Sequence, residues 1–440
     1  MKDSIRKIIP DWAISAYHWL WAALGTLVYG FPSEKLIVIG ITGTDGKTTT
    51  ANLAAKILEA TGRKVGMTTT INFKIGNQEW ENLTKQGMQG RFKNQQLLRR
   101  MVQAGCRYAV IETTSEGIKQ FRHVGINYDV AVFTNLTPEH IEAHGTFEKY
   151  KQAKGELFRK TAKSCKIGVN KCTIVNGDDK NSGYFLSFDC ERNIVYGIDG
   201  HCPEGLPYLQ AKDIKLTPQG TSFTLSYVTS SAPIETREIE SNLVGRFNVY
   251  NLLAAIAIGL SQGLSLAKIQ EVIPEIEPVA GRMELVDGGQ PFTVIVDYAH
   301  APNALGNVYQ TVKPFLKGKL WSVLGSQGGG RDKRKRPILG QLAGKYADYV
   351  VVTNEDPYDE DPRKIIDDVF AGAVKIGKKE KENAWRILDR RQALKFVLDN
   401  ASPDDIVLVT GKGAEKIMMG PRGKKIKWND PDEIRRILPK

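Results

Sequence analysis

Residues 40–58 read GITGTDGKTTTANLAAKIL, and the fold follows from how this stretch is understood. An apolar run, KLIVIGI, enters it, and an Ala/Leu-rich segment of helical character leaves it. Glycines at 43 and 46 let the backbone turn tightly and present N–H groups to an anion, and the next helix adds its positive N-terminal end. Gly43, Thr44, Asp45, Gly46, Lys47, Thr48 and Thr49 therefore read as a phosphate loop. Lys47 supplies a point charge for the β- and γ-phosphates, and Thr48 a hydroxyl for Mg²⁺. Ile41 stands where the strict phosphate-loop pattern has its first glycine, so the general pattern fails while its physical parts are all present.

The rest of the chain sets the context. A length of 440 residues allows two or three domains. The chain is 41% hydrophobic and 25% charged, the balance of a globular protein. Its 61 Lys+Arg against 49 Asp+Glu leave a net charge of +12, which suits anionic partners. The cations are scattered apart from RDKRKR (331–336) and RGKKIK (422–427), and no zinc-finger or aromatic RNA-reading motif accompanies them, so nucleic acid is not expected as a partner. Five cysteines without CxxC spacing argue against a disulfide framework and for a reducing, cytoplasmic setting. Residues 12–30 hold Trp12, Tyr17, Trp19, Trp21 and Tyr29 but too short an apolar run to span a bilayer. Two readings stay open for them: a helix packed on the next domain, or peripheral contact with the inner face of the membrane.

From residue 36 apolar strands alternate with helical stretches, which predicts a parallel sheet with helices on both faces. Ligands of such sheets bind beyond the carboxyl ends of the strands, and the polar motifs lie there: GTDGKT after one strand, Glu112 after YAVI, Asn135 after VAVFT. A second α/β unit begins near 281, with FTVIVDYAH, KLWSVLG, DYVVVTNEDP and DIVLVTGKG as four strands running into polar loops. The fold class is thus α/β, a central phosphate-loop ATPase domain followed by a Rossmann-like C-terminal domain. The expected divisions are 1–35, 36–280 and 281–440, the last boundary near Pro278 and Gly281. Glu112 offers the hard oxygen that Mg²⁺ takes. His140 and His144, two of six histidines, follow the strand that flanks the phosphate loop, and Lys154 lies on a helix returning to the same edge.

These motifs occur together. GITGTDGKTTT, IETTSEGI, DVAVFTNLTPEHIEAHGTFEKYKQAKGELF, GRFNVYNLLAAIA, GRMELV, VIVDYAHAPNAL, GGGRDKRKRP and TGKG appear in the order found in Mur ligases. The chain resembles the UDP-N-acetylmuramoyl-tripeptide synthetase (MurE-like) branch over about residues 36–440. The resemblance implies an ATP-dependent amide ligase that phosphorylates the carboxylate of a muramoyl-peptide acceptor and lets an amino acid attack the acyl phosphate. It implies that Lys47 and the 43–48 backbone hold the phosphates, and that Thr48 holds one Mg²⁺. A second Mg²⁺ falls to Glu112 and His140, with Lys154 carried as a carbamate. Asn248 and Asn251 are placed near the adenine, Arg282 at the phosphates, and Asp297, accompanied by Tyr298 and His300, at the ribose. Ser115, Arg331, Asp332, Lys333, Glu355, Asp356, Tyr358, Lys412 and Glu415 are placed on the substrates. A monomer is expected.

Three departures from the family pattern bear on substrate. Only about 35 residues precede the ATPase core, where the family usually has a uridine-gripping domain, so a lipid-linked or other non-UDP acceptor is the alternative. Such an acceptor is met in the lipid II-amidating (MurT-like) type, whose zinc-binding cysteines are missing here, or in the cyanophycin and folate types. EDPY (355–358) stands where diaminopimelate-adding enzymes have Asp-Asn-Pro-Arg, and GKGAE (411–415) where they have GKGHE, which counts against diaminopimelate and leaves the amino acid open between lysine and others, with Glu355 or Asp356 able to attract a basic side chain. TKQGMQGRFKN (84–94) replaces the Thr-Thr-Pro type run that meets the acceptor.

Overall fold

The computed structural model describes residues 10–84, 86–138, 144–229 and 233–438. It divides into two units. The first comprises residues up to 215 with 221–241 and 247–276, and the second 216–220, 242–246 and 277–440.

The first unit is built on one sheet. Its strands are β1 (Ile37–Thr42), β2 (Lys64–Thr68), β3 (Asn72–Ile75), β4 (Gln78–Glu81), β5 (Cys106–Glu112), β6 (Val130–Phe133), β7 (Cys172–Asn176), β8 (Arg192–Gly197), β9 (Tyr208–Thr217), β10 (Gly220–Val228) and β11 (Glu235–Ser241). They lie in the order β11-β10-β9-β8-β7-β6-β1-β5-β2-β3-β4. The seven strands from β9 through β2 are parallel, and β1 pairs with β6 on one side and β5 on the other. Every residue of β1 is buried, as expected where a parallel strand has both faces covered. The helices of this unit are α1 (Asp11–Val28), α2 (Lys47–Glu59), α3 (Arg91–Gln103), α4 (Ser115–Lys119), α5 (Phe147–Ala162) and α6 (Arg246–Ser261). Gly40 permits the close approach of α5 to β1: a Cβ there would lie 2.5 Å from the Leu157 side chain and 2.8 Å from the Tyr128 ring. In α6 every residue from Asn248 to Leu260 except Tyr250 is buried, so the helix is core on nearly every side.

Asp129 ties the amino ends of the central strands. It is fully buried, and its carboxylate accepts from the Val38 N–H at 2.8 Å, from Lys166 Nζ at 2.5 Å and from Lys171 Nζ at 2.8 Å. Its own N–H and C=O bond Val38 O and Cys172 N, so one residue fixes the register of β1, β6 and β7.

The second unit carries a sheet of six strands: β12 (Glu284–Leu285), β13 (Thr293–Asp297), β14 (Leu320–Leu324), β15 (Tyr349–Thr353), β16 (Ala384–Ile387) and β17 (Ile406–Thr410). The order is β12-β13-β17-β14-β15-β16, with only β12 antiparallel to its neighbour. Its principal helices are α7 (Pro302–Val312), α8 (Lys335–Tyr346), α9 (Pro362–Lys375), α10 (Arg390–Asn400) and α11 (Asp430–Ile437). The division between units falls at 276/277, ahead of Pro278, and residues 10–35 belong with the first unit because α1 packs on α3.

Asp129→Ala removes the carboxylate from two largely buried lysine ammonium groups and leaves them only backbone carbonyls as partners. It is expected to lower unfolding stability by about 3–5 kcal/mol. Urea denaturation of the variant checks this, and a loss below about 1 kcal/mol would contradict the role given to the knot.

Candidate active site

The carboxyl ends of β1, β5 and β6 meet at one point. The loop after β1 turns through Gly43 (φ +153°) and Gly46 (φ +83°), and neither has room for a side chain. A Cβ on Gly43 would lie 1.9 Å from Thr134 Oγ1 at the end of β6, and one on Gly46 would lie 2.3 Å from Asn251 Oδ1 of α6. The loop is pinned from β6 by backbone and side chain together. The Asp45 N–H donates to Asn135 Oδ1 at 2.9 Å, Asn135 Nδ2 and Thr134 Oγ1 donate to Asp45 O, and the Thr44 N–H donates to Asn135 O. Thr44 Oγ1 lies 3.1 Å from Tyr150 OH of α5. On the α6 side Thr50 Oγ1 donates to Asn251 Oδ1, and Asn251 Nδ2 donates to Asn248 Oδ1 at 2.9 Å. Asn248 and Asn251 therefore stand against the loop.

Three charged residues complete this end of the sheet. Lys47 Nζ donates to Gly43 O at 3.0 Å and Thr44 O at 2.7 Å. Lys154, itself buried, donates to the same Gly43 O at 2.5 Å, and its ammonium lies 4.5 Å from the centre of the Tyr150 ring. Two ammonium groups thus share one carbonyl. Glu112, buried at the end of β5, accepts from Thr48 Oγ1 at 2.8 Å, from the Thr70 N–H at 2.9 Å and from Thr70 Oγ1 at 2.9 Å. A Thr hydroxyl and a carboxylate in contact are hard oxygen donors of the kind Mg²⁺ takes, so the residues fit that ion. His140 lies outside the described residues. His144 is described: its ring is buried beside Tyr150, Nε2 has no hydrogen-bond partner, and burial with the nearby Lys119 and Lys154 holds its pKa below the usual value.

Ser115 is buried at the start of α4, two residues beyond the Thr113 that follows β5. The segment 86–90 runs past it. A Cβ on Gly87 would lie 2.9 Å from Glu112 Oε1, and Arg122 holds the segment by donating to Gln86 Oε1 at 2.9 Å and Met88 O at 2.5 Å. Thr49 is buried in the first turn of α2.

The remaining candidates lie in the second unit, at the carboxyl ends of its strands. Asp297 ends β13 and accepts from the Met283 and Ala299 N–H groups at 2.8 and 2.7 Å, so its carboxylate is engaged in shaping the turn. The Arg282 guanidinium lies over the Tyr298 ring at 4.5 Å, and His300 Nδ1 lies 3.0 Å from Tyr298 O. Burial, with cations around it, holds the His300 pKa well below the ordinary value. Lys412, fully buried, donates to Asp356 at 3.0 Å, Glu415 at 2.5 Å and Ile417 O at 2.8 Å. Asp356 also accepts the Met419 N–H at 2.7 Å. Glu355 differs: it is fully buried, and neither carboxylate oxygen has a hydrogen-bond partner. Burial and the adjacent Asp356 raise its pKa. Gly411 abuts it, since a Cβ there would lie 2.3 Å from Glu355 Oε2. Tyr358 takes a left-handed backbone (φ +54°) against Gly329. Of the basic run, Asp332 binds Arg334 at 3.0 Å, and Lys333 pairs with Glu360 at 3.0 Å. Arg331 is exposed and acts electrostatically on both Tyr358 and His300.

Thr70, Thr134, Asn135 and Tyr150 contribute to the phosphate-loop site without having been singled out as site residues. Asn135 had a signal, its place at a strand end. Thr70 belongs to a strand-end TTT that composition does not distinguish from any other turn, and Tyr150 depends on α5 returning over β1.

Comparison with known proteins matches residues 41–259 to the Mur ligase middle domain and residues 281–413 to the Mur ligase glutamate ligase domain. A UDP-N-acetylmuramoyl-L-alanyl-D-glutamate–2,6-diaminopimelate ligase of Bacillus cereus is 41% identical over 413 residues, covering 94% of this chain and 80% of the relative. A UDP-N-acetylmuramyl-tripeptide synthetase of Roseiflexus sp. is 38% identical over 427 residues, covering 95% and 81%. A solved structure of a UDP-N-acetylmuramoyl-L-alanyl-D-glutamate–2,6-diaminopimelate ligase superposes with a TM-score of 0.60 at 30% identity, over 91% of this chain and 78% of that one. A folylpolyglutamate synthase of Mycobacterium tuberculosis complexed with ADP shares the fold, with a TM-score of 0.68 at 17% identity over 89% of this chain and 91% of that one.

Gly46→Ala places a methyl group on Asn251 at a positive φ and is expected to weaken ATP binding at least tenfold by calorimetric titration. Gly62→Ala, also at positive φ (+74°) but with nothing within 4 Å, serves as the control and is expected to bind ATP as the parent does. Equal affinities for the two variants would remove the loop from the nucleotide site.

Proposed function

The chain belongs to the Mur ligase family, and from that premise we infer its chemistry: it is an ATP-dependent amide-bond ligase that joins an amino acid to the carboxylate of a muramoyl-peptide acceptor. The observation that carries the reading is the convergence of Lys47, Thr48, Glu112 and Lys154 on one end of the first sheet. A carboxylate is a poor electrophile. An acceptor carboxylate oxygen attacks the γ-phosphorus of ATP, ADP leaves, and the acyl carbon becomes open to an amine. The amino group then attacks that carbon, phosphate departs, and the amine gives up a proton. Both reactants of the first step are anions, so the site must offset their repulsion. Lys47 and the loop N–H groups do so for the phosphates. When bound, Mg²⁺ neutralises the charge that develops between nucleotide and carboxylate.

Two ions are assigned from the family motif, one to Thr48 and a second to Glu112, with His140 as its further ligand by place in the motif. The pair of ammonium groups on Gly43 O supports a carbamate at Lys154. Two like charges so close together, Lys154 buried and Lys47 half-buried, disfavour each other, and reaction of the neutral Lys154 amine with CO₂, releasing a proton, turns one of them into an anion. Asn248 and Asn251 on the loop side, and Arg282, Asp297 and His300 in the second unit, are assigned to the nucleotide. Ser115 and the 86–90 segment are assigned to the acceptor.

The amino acid is assigned to the second unit, among Arg331, Asp332, Lys333, Glu355, Asp356, Tyr358, Lys412 and Glu415. Glu355 is the unpartnered carboxylate of this group, and Asp356 is already taken by Lys412. A buried acid without a partner favours an incoming cation, so lysine or a similar basic amino acid is the proposed donor. Tyr358 offers no guanidinium for a distal carboxylate, which disfavours diaminopimelate. The enzyme is proposed to act as a monomer in the cytoplasm, touching the inner face of the membrane through residues 12–30. That contact favours a second reading of the acceptor, one carried on a lipid rather than on a uridine nucleotide.

Purified protein with ATP, Mg²⁺, a muramoyl-dipeptide acceptor and a panel of amino acids is expected to release ADP and yield a product heavier by one basic residue. ADP release that does not depend on both acceptor and amine would end the ligase reading. Lys154→Ala is expected to lose at least a hundredfold in kcat and to recover part of it with added short carboxylic acids. Because Glu355 has a raised pKa and must be ionised to hold a cation, KM for lysine is expected to fall as pH rises through that pKa. Glu355→Gln is expected to raise KM at least tenfold and to abolish this slope; a slope unchanged in the variant would assign it elsewhere.

A further inference from the structure

Helix α1 has two apolar faces and only one of them is covered. Ala22, Gly25 and Thr26 face inward and are buried, and Phe92 of α3 packs against this side: its ring lies 5.3 Å from Trp21 and 6.3 Å from Tyr29, and its Cα lies 3.5 Å from where a Gly25 Cβ would be. The opposite stripe, Tyr17, Leu20, Leu24, Leu27 and Val28, recurs at helical spacing and is exposed, Leu20 and Leu27 by 61% and 62%. Trp19 and Trp21 flank it, half in water. A single exposed leucine is ordinary, whereas an unbroken apolar stripe along a helix of 18 residues is an interaction surface. At 1.5 Å per residue it is about 27 Å long.

The helix itself is nearly uncharged, and the helix it packs on is basic. After Asp11, α1 carries no Asp, Glu, Lys or Arg. The helix beneath it, α3, holds Arg91, Lys93, Arg99 and Arg100 and no acid, and its N-terminus at Gly90 has no side-chain cap. Arg91 lies at the α1 side of that helix, near enough to Tyr17 to feel it, and its Nε and Nη2 have no hydrogen-bond partner. Apolar residues with Trp and Tyr at their margins and cations alongside are the chemistry of a helix lying in the surface of an anionic bilayer. Among the described residues no helix is long and apolar enough to cross a membrane.

We propose that the exposed stripe of α1, with Arg91 of the basic helix α3 beside it, docks the enzyme on anionic phospholipid. This rests on the ligase reading and adds the place where the acceptor is met. The segment 87–92 joins the two sites directly: Gly87 abuts Glu112, and Phe92 packs under α1. A bilayer held on α1 therefore lies a few residues of chain from the 86–90 segment assigned to the acceptor, and a lipid-carried acceptor would arrive there without leaving the surface.

Flotation of the full chain with vesicles of phosphatidylcholine alone, and with phosphatidylglycerol added, tests this without ATP or acceptor. The expected result is at least tenfold more protein floating with the anionic vesicles, a blue shift of Trp fluorescence, and partial release at 0.5 M salt. Leu20→Glu/Leu24→Glu/Leu27→Glu is expected to lose at least tenfold in vesicle binding while keeping the parent's thermal midpoint and its ADP release with a soluble acceptor. Absence of flotation with either vesicle, or equal flotation of parent and triple variant, overturns the proposal. So does a dimer in light scattering that the triple variant breaks while vesicles are ignored, which would assign the stripe to a second copy. Because vesicle binding is read apart from turnover, its failure leaves the ligase reading standing, and loss of the ligase reading leaves the docking measurement intact.

Discussion

The carboxylate of Glu112 organises the first unit's site. It ends β5, receives the hydroxyl of Thr48 from the first turn of α2, and receives both donors of Thr70 from the loop after β2. A buried carboxylate is costly unless its oxygens are engaged. Here the engagement draws three separate parts of the chain to one point and leaves hard oxygens facing the phosphate loop. The parallel sheet makes this possible, because β1 between β5 and β6 brings their carboxyl ends side by side. Asp129 works at the amino ends of the central strands, where it fixes their register and so the position of everything at the other end.

Much of this could be read from sequence because the decisive stretches carry strong local signals. GITGTDGKTTT combines a buried strand, two glycines in constrained turns and a helix start, and the strands Val130–Phe133, Tyr349–Thr353 and Ile406–Thr410 are unbroken apolar runs. Other elements gave weaker signals. The antiparallel strands β3 and β4 alternate polar and apolar residues across a two-residue Gly76–Asn77 turn, a hairpin cue that is short and lies in a polar stretch. Strand β16, AWRI, is four residues at a sheet edge, and Arg386 interrupts its apolar run. The roles of Thr70 and Tyr150 depend on contacts between segments 42 and 106 residues apart, which no local pattern encodes.

Composition and spacing also left the two readings of residues 12–30 side by side, and the fold shows why. A helix apolar on opposite faces satisfies both patterns at once: α1 packs on α3 with one face and presents the other outward. The second unit shows a comparable limit. EDPY pointed to two acids near the amino acid, and only the folded arrangement distinguishes them, because Lys412 and a backbone N–H occupy Asp356 while Glu355 has no hydrogen-bond partner.

Helix α6 carries the side chain that fills the space beside Gly46, and the same helix is interior almost all round. Asn251 cannot be shifted without disturbing the apolar packing that surrounds its neighbours. A substitution in the interior of this helix therefore acts on the loop at Gly46 and Thr50 as well as on the core, because the same helix serves both.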